Sequence, residues 1–168
     1  LSVAKERLLS FEAVPLRSQV VRCNGLTILN DCYNANPLSF ARALETLRDL
    51  SVRRRLAIIG DMLELGTYAE PSHEAIGRLA AQVGIDVVIA VGAYAQAVAR
   101  GVREARPSVA GSRPSEVLTF RTVQELLQEL PTMLQDGDGL LVKGSRKLNL
   151  EQVTEFLVQQ SREAYAAR

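Results

Sequence analysis

The sequence predicts an α/β fold, Rossmann-like and doubly wound, in which a mostly parallel sheet carries an antiparallel hairpin strand near its N-terminus. Short apolar segments rich in β-branched residues alternate with amphipathic segments of helical period. Several short segments form uninterrupted apolar runs, such as LAII, GLLV and the run that follows the aspartate of DVVIAV, as is typical of strands in a parallel sheet covered on both faces. Asn24-Gly25 joins the extended segments 18–23 and 26–30, and Asn-Gly between apolar runs is a strong hairpin signal because both residues tolerate positive φ.

Two helices are predicted on either side of a strand over 55–59. The first covers about 37–50 and begins at Pro37, because the missing N–H of proline costs nothing at the first helical position. Asn36 precedes it and is expected to be its N-cap. The second helix covers about 72–83 and is expected to begin at a serine cap.

The second half of the chain continues the same alternation of strand and helix. Each apolar strand is short, and each helix shows apolar residues at a spacing of three and four. A long polar connection with two prolines interrupts the pattern once. In order, the predicted elements are strand 86–91, helix 94–104, the connection containing Pro107 and Pro114, strand 117–120, helix 122–134, strand 139–143 and a helix from about 149.

Length and composition indicate one globular domain. The chain has 168 residues, of which 47% are hydrophobic and 23% charged, as suits a chain with one buried core. Its 20 basic and 19 acidic residues are spread along the sequence, so we expect no nucleic-acid and no membrane partner. No apolar run approaches the roughly 20 residues of a membrane-spanning helix, and no signal-peptide pattern opens the chain. Cys23 and Cys32 lack metal-ligand spacing and are expected to be reduced thiols, which fits a cytoplasmic location.

The first residues are expected to belong to a preceding part of a longer protein. Residues 2–11 are predicted to form a short amphipathic helix that ends before Pro15. The chain also begins with Leu1 rather than Met. We therefore assign residues 1–15 to a tail or linker and residues 16–168 to the domain itself.

Polar residues follow the predicted strands at the edge where such sheets bind ligands, beyond the carboxyl ends of the strands. Four strings lie there, NDCYNANP, GDMLELG, VG and KGSRK, and we expect them to meet in space. The first contains a carboxylate, a phenol and two amides, which together could hold a nucleoside. These residues are Asp31, Tyr33, Asn34 and Asn36. For Asn36 alone, simple helix capping is an equally good interpretation.

The other strings allow a functional and a structural interpretation. In GDMLELG, Gly60 permits close approach of backbone to a ligand, while Asp61 and Glu64 could act at a site or belong to a solvated loop with a capping aspartate. His73, the only histidine, could serve the site or be a satisfied residue in the first turn of a helix.

KGSRK supplies two cations and a hydroxyl at the end of the last strand. Lys143 and Arg146, with Ser145 and the freed backbone at Gly144, suit a carboxylate or phosphate. The structural alternative is a serine-containing helix start with solvated cations. The chain lacks both G-x-x-x-x-G-K-[ST] and G-x-G-x-x-G, and it has too few histidines and cysteines for a nucleophilic relay, so it is predicted to form half of a site.

DCYNANP, GDMLELG followed by HEAIG, and VKGSR resemble, in order and spacing, the C-terminal domain of the Mur ligases. The resemblance covers the chain from about Arg17 to the last helix and is greatest to the members that add D-alanyl-D-alanine to UDP-N-acetylmuramoyl-tripeptide. It implies a three-domain enzyme of the bacterial cytoplasm, expected to be monomeric. Its N-terminal domain would hold the UDP-sugar, and its central domain would carry the phosphate-binding loop and the Mg²⁺ ligands. The present domain would contribute to binding of ATP and the dipeptide and would be inactive alone.

The resemblance also implies roles for individual residues. Asp31, Tyr33, Asn34 and Asn36 match the segment that faces the adenosine of ATP, and Cys32 stands where serine is common. The loop 60–66 and His73 match positions near the reacting groups, without a defined role. The segment from Lys143 through Gly144 and Ser145 to Arg146 matches the site of the incoming amine, where Ser145 and Arg146 are expected to hold the dipeptide carboxylate. No catalytic residue and no metal ligand is assigned within this domain.

The implied reaction forms an acyl phosphate from the tripeptide carboxylate, which the dipeptide amine then attacks. Such a reaction gains mainly from orientation and from cations, so the lack of a protein nucleophile is expected. Two alternatives remain open: another ligase of the same superfamily with a different amine, and a non-catalytic nucleotide-binding module.

Overall fold

A six-stranded sheet between two layers of helices forms the domain. The computed structural model describes residues 16–105 and 115–166, so the predicted helix over 2–11 and the connection around Pro107 lie outside the described part. The strands are β1 Gln19–Cys23, β2 Leu26–Asp31, β3 Arg54–Gly60, β4 Val87–Val91, β5 Glu116–Phe120 and β6 Asp138–Lys143. The helices are α1 Pro37–Asp49, α2 Ala69–Gln82, α3 Ala95–Glu104, α4 Val123–Met133 and α5 Glu151–Ala166.

The strand order is β1-β2-β6-β3-β4-β5, and every pair is parallel except β1-β2. The predicted doubly wound sheet with an antiparallel hairpin strand is therefore confirmed. The hairpin turns at Asn24 and Gly25, both at positive φ of 46° and 72°, as a two-residue turn of this kind requires. Because β2, β6, β3 and β4 run parallel, the loops that follow them share one edge of the sheet.

Hydrophobic side chains fill the space on both faces of the sheet. On one face, Phe40, Leu44 and Leu47 of α1 pack with apolar residues of α2, α3 and the strands. On the other face, Leu126 of α4 and Val153 of α5 pack against Leu140, Val142 and their neighbours. Burial on both faces explains why the middle of each central strand is apolar. Within the described residues, no helix has the length and apolar character needed to cross a bilayer.

Two helix starts differ from the prediction. Helix α2 begins at Ala69, three residues earlier than expected, because a 3-10 turn over Gly66–Tyr68 leads directly into it. Pro71 then lies in the first turn, where the N–H that proline lacks would have no partner within the helix. Ser72 is therefore not a cap. Helix α5 begins at Glu151, after Asn149 adopts a left-handed conformation with φ of 52°.

Candidate functional site

The loops after β2, β3, β4 and β6 touch one another at the carboxyl edge of the sheet. The Lys143 Nζ donates to Asp31 Oδ2 at 2.6 Å and to the Asn34 carbonyl oxygen at 2.9 Å. The Ser145 backbone N–H donates to the Asp61 carbonyl oxygen at 2.9 Å. The Asp61 carboxylate in turn accepts from the N–H of Ala93, which follows β4. The expectation that the four strings meet in space is confirmed.

A cleft of about 500 Å³ lies beside the start of α1. Tyr33 is 46% exposed and Leu38 is 70% exposed, so both present apolar surface to it. The Arg17 guanidinium lies 4.0 Å from the centroid of the Tyr33 ring, and the Tyr33 N–H donates to the Leu16 carbonyl oxygen at 3.1 Å. The cleft therefore combines a flat aromatic face with a cation.

Arg17 lines the cleft but was not among the residues predicted from the sequence. It precedes β1, away from the four strings. The hairpin register pairs Gln19 with Asn30, and extending that register places Arg17 across from Cys32 and next to Tyr33. The Asn24-Gly25 turn, which defines the register, was therefore the signal that could have identified it.

The side chains of three of the four predicted nucleoside-binding residues already make hydrogen bonds within the domain, Asp31 to other segments and Asn34 and Asn36 within their own loop. Asp31 accepts from the Ser18 N–H with Oδ1 and from Lys143 with Oδ2. The side-chain oxygen of Asn34 accepts from the Ala35 N–H. Asn36 caps α1 as predicted, in a reciprocal pair with Ser39 at 2.8 and 3.1 Å. The amide nitrogens of Asn34 and Asn36 have no acceptor among the described residues, and both residues are exposed.

The loop after β3 is held in place by contacts with the segments that follow β4 and β6. Gly60 lies against the end of β6, where an added Cβ would come within 3.3 Å of the Gly144 Cα and 2.5 Å of the Leu150 Cδ1. The Asp61 carboxylate is 7% exposed and accepts from the N–H groups of Ala93 and Tyr94 at 2.9 and 3.0 Å, ahead of α3. Its side chain therefore has a capping role, the structural alternative considered above. Glu64 is exposed and has a left-handed φ of 65°.

His73 lies in the core rather than in the cleft. Its ring is fully buried and stacks on Tyr94, with 4.4 Å between the ring centroids. Nε2 accepts from the Met62 N–H at 2.8 Å, so Nδ1 carries the proton and donates to the Ala69 carbonyl oxygen at 2.6 Å. Burial lowers the pKa of His73, more than its contact with Ala69 and the charge of Asp61 raise it. The neutral ring thus holds the loop after β3 to helix α2.

The four residues of the β6 loop have different environments. Lys143 is 1% exposed, and its ammonium is surrounded by Asp31, the Asn34 carbonyl and the face of Phe40 at 5.4 Å. The loop carrying Asp31 covers most of this ammonium, although Lys143 still lines the cleft beside α1, so its role as a point charge for a ligand stays a prediction. Gly144 is buried beneath Leu150.

Ser145 and Arg146 retain free hydrogen-bonding capacity. The Ser145 Oγ accepts from the Leu63 N–H at 2.9 Å, which leaves the hydroxyl proton available for donation. The Arg146 side chain is 54% exposed and forms an ion pair with Glu151. A hydroxyl donor and a guanidinium on adjacent residues can together bind an anion.

The family model for the Mur ligase, glutamate ligase domain matches residues 16–146. The chain belongs to the Mur ligase C-terminal domain family. This Mur ligase domain is similar to UDP-N-acetylmuramoyl-tripeptide--D-alanyl-D-alanine ligase of Treponema pallidum, with 37% identity over 84% of this chain and 29% of the relative. The protein of the same name from Escherichia coli is 32% identical over 94% of this chain and 32% of the relative.

Solved structures agree with the family assignment. The crystal structure of MurF from Acinetobacter baumannii superposes with a TM-score of 0.81 at 26% identity, over 95% of this chain and 34% of that one. This Mur ligase domain thus spans about a third of the length of the relatives it matches.

The thiols of this Mur ligase domain take no part in the cleft. The Cys32 Sγ donates to the Val142 carbonyl oxygen at 3.3 Å, and burial raises the pKa of its thiol to about 12. Cys23 is partly buried, and burial raises its pKa as well. Both cysteines are free, as predicted. With its pKa raised to about 12, the Cys32 thiol stays protonated and chemically inert at neutral pH.

Proposed function

We propose that this chain is the C-terminal domain of a cytoplasmic bacterial ligase that uses ATP to join D-alanyl-D-alanine to UDP-N-acetylmuramoyl-tripeptide. The observation that carries the proposal is the contact between two unlike loops, where Lys143 joins the segment 31–36 to the segment 143–146. One loop offers an aromatic face and amide donors, and the other offers a guanidinium and a hydroxyl. Curated relatives, including those from Treponema pallidum and Escherichia coli, carry the name of this activity.

The cleft beside α1 suits the adenosine of ATP. The exposed ring of Tyr33 can stack on the base, and the amide nitrogens of Asn34 and Asn36 can donate to the acceptors of the nucleoside. Arg17 adds a positive charge beside the ring for the phosphates. Asp31 supports this loop through its bonds to Ser18 and Lys143.

The β6 loop suits the carboxylate of D-alanyl-D-alanine. Ser145 can donate its hydroxyl proton, and Arg146 can offer two parallel N–H groups to the two carboxylate oxygens. Lys143 would act on the dipeptide only indirectly, through the position of this loop, because its ammonium is engaged elsewhere.

In the proposed reaction, the tripeptide carboxylate takes the γ-phosphoryl group of ATP and ADP is released. The dipeptide amine then attacks the acyl phosphate, and the tetrahedral intermediate loses a proton and expels inorganic phosphate to leave the amide. The residues of this domain would orient ATP and the dipeptide, and closure against the other domains would exclude water. Mg²⁺ would neutralise phosphate charge when bound. As the family resemblance implies, we propose that the Mg²⁺ ligands lie in the central domain.

An assay of the complete ligase tests the proposal. ADP release is measured with UDP-N-acetylmuramoyl-tripeptide and, in turn, D-alanyl-D-alanine and single amino acids as the amine. The proposal predicts ligation with the dipeptide and no turnover by this domain alone, since it lacks a phosphate-binding loop motif. Turnover with a single amino acid but not with the dipeptide would instead indicate another ligase of the family. Nucleotide binding without ligation of any amine would indicate a binding module.

A further inference from the structure

We propose that Glu151 is a positioning residue that orients Arg146 toward the carboxylate of the amine substrate. This inference rests on the proposed function, because it assumes that Arg146 meets a substrate carboxylate. It assigns a role to a residue outside the VKGSR string, at the start of α5.

The contact between the two side chains leaves one edge of the guanidinium open. The Arg146 Nη1 donates to Glu151 Oε1. The Arg146 Nε and Nη2 have no acceptor among the described residues, and the side chain is 54% exposed. The Glu151 side chain, in contrast, is only 13% exposed. A nearly buried carboxylate thus holds one nitrogen of an exposed guanidinium, whose other nitrogens are free to bind a carboxylate in a fork.

The segment that carries both residues is held in place by backbone contacts. The Leu148 N–H donates to the Ser145 carbonyl oxygen at 3.0 Å, and the Asn149 N–H donates to the Arg146 carbonyl oxygen at 3.1 Å. Leu150 is 1% exposed and packs where the backbones of Gly60 and Gly144 approach each other. Arg146 and Glu151 are therefore presented by a tight turn rather than by a loose loop.

A glutamate in the first turn of α5 interacts favourably with the helix dipole, but this contribution does not require the side chain to be largely buried. The Glu151 Oε2 is buried and has no hydrogen-bond partner among the described residues. Burying an unpartnered carboxylate oxygen opposes folding, and an ion pair with an exposed arginine offsets little of that cost. An apolar side chain of similar length would avoid the cost. The orientation of Arg146 provides a reason for keeping the charge there.

The test compares Glu151→Met and Glu151→Gln with the wild type in the complete ligase. We expect an unchanged or higher melting temperature for Glu151→Met, and a KM for D-alanyl-D-alanine raised roughly tenfold in both variants, as when one charge-assisted hydrogen bond weakens. The KM for ATP should change less than about twofold. The matched control Glu155→Gln, on the exposed side of the same helix, should leave both KM values unchanged. A lower melting temperature with equal increases in both KM values would overturn the proposal.

A double-mutant cycle with Arg146→Ala tests whether Glu151 acts through Arg146. If it does, Glu151→Met adds no further loss to the Arg146→Ala enzyme, whereas additive losses would overturn the inference. The wild-type assay separates this inference from the proposed function. If the wild type uses another carboxylate-bearing amine, the proposed function fails, and the cycle run with that amine still decides the role of Glu151. If the wild type uses no such amine, both fail.

Discussion

His73 shows, at the scale of a single residue, how a polar group can become part of a core. Its two ring nitrogens serve two backbone groups, one on the loop after β3 and one on α2. Only the neutral ring can accept the hydrogen bond from the Met62 N–H. Protonation would break a contact that shapes the loop, and burial lowers the pKa of His73 accordingly.

We predict that the chain loses stability as the pH falls below about 6.5, the ordinary pKa of histidine. Below that pH the unfolded chain binds a proton that the folded chain excludes, so the free energy of unfolding decreases by up to about 1.4 kcal/mol per pH unit. Denaturant unfolding between about pH 7 and pH 5.5 measures the slope. The His73→Gln variant, which keeps a donor and an acceptor but does not titrate, should show a shallower slope. Equal slopes would contradict this account.

The residue types at the candidate site could be predicted from the sequence, but the partners of their side chains could not. The sequence allows Asp61 either a functional or a capping role. In the structure its carboxylate accepts hydrogen bonds from the N–H groups of Ala93 and Tyr94. Those partners lie more than 30 residues away, so local sequence contains no sign of them. The pairing of Lys143 with Asp31 could not be predicted for the same reason, because the two residues are 112 positions apart in the sequence.

The order of the elements was predictable because each signal is local. Apolar strands, helical spacing and the Asn24-Gly25 turn depend on neighbouring residues, and the sheet followed from them. The predicted start of α2 was wrong. A serine before a periodic segment is typical of an N-cap, but here the 3-10 turn over Gly66–Tyr68 leads into a helix that already begins at Ala69. The turn is closed by the Tyr68 N–H, which donates to the Leu65 carbonyl oxygen at 3.0 Å, a local backbone contact that side-chain periodicity does not reveal.

At the scale of elements, the Lys143–Asp31 pair joins β6 to the loop after β2. We predict that Lys143→Met destabilises the fold by roughly 2–5 kcal/mol, because it leaves a largely buried Asp31 without its cation. Denaturant unfolding measures the loss, and Lys147→Met, at an exposed lysine of the same loop, is the matched control. Adding Asp31→Asn should recover part of the stability. A loss in Lys143→Met no larger than in the control would show that the pair does not hold the loop.

At the scale of the whole molecule, the two proposed ligand surfaces are connected within one sheet. The Tyr33 side and the Arg146 side belong to loops that follow neighbouring parallel strands, β2 and β6. The proposed ligase would gain a dipeptide site fixed relative to its nucleotide site within one rigid domain. Since the chain spans about a third of the length of its relatives, the remaining groups for catalysis are proposed to come from the other domains.

The most direct test of this account is a crossed pair of substitutions in the complete ligase, Tyr33→Ala and Arg146→Ala. Steady-state kinetics give the KM for ATP and the KM for D-alanyl-D-alanine in each variant. Tyr33→Ala should raise the KM for ATP roughly tenfold, the value of one aromatic stacking contact, and change the other KM little. Arg146→Ala should raise the KM for D-alanyl-D-alanine and change the KM for ATP little. The control Arg162→Ala, at an exposed arginine of α5, should change neither KM. Equal effects of Tyr33→Ala and Arg146→Ala on both KM values would contradict the assignment of two separate surfaces.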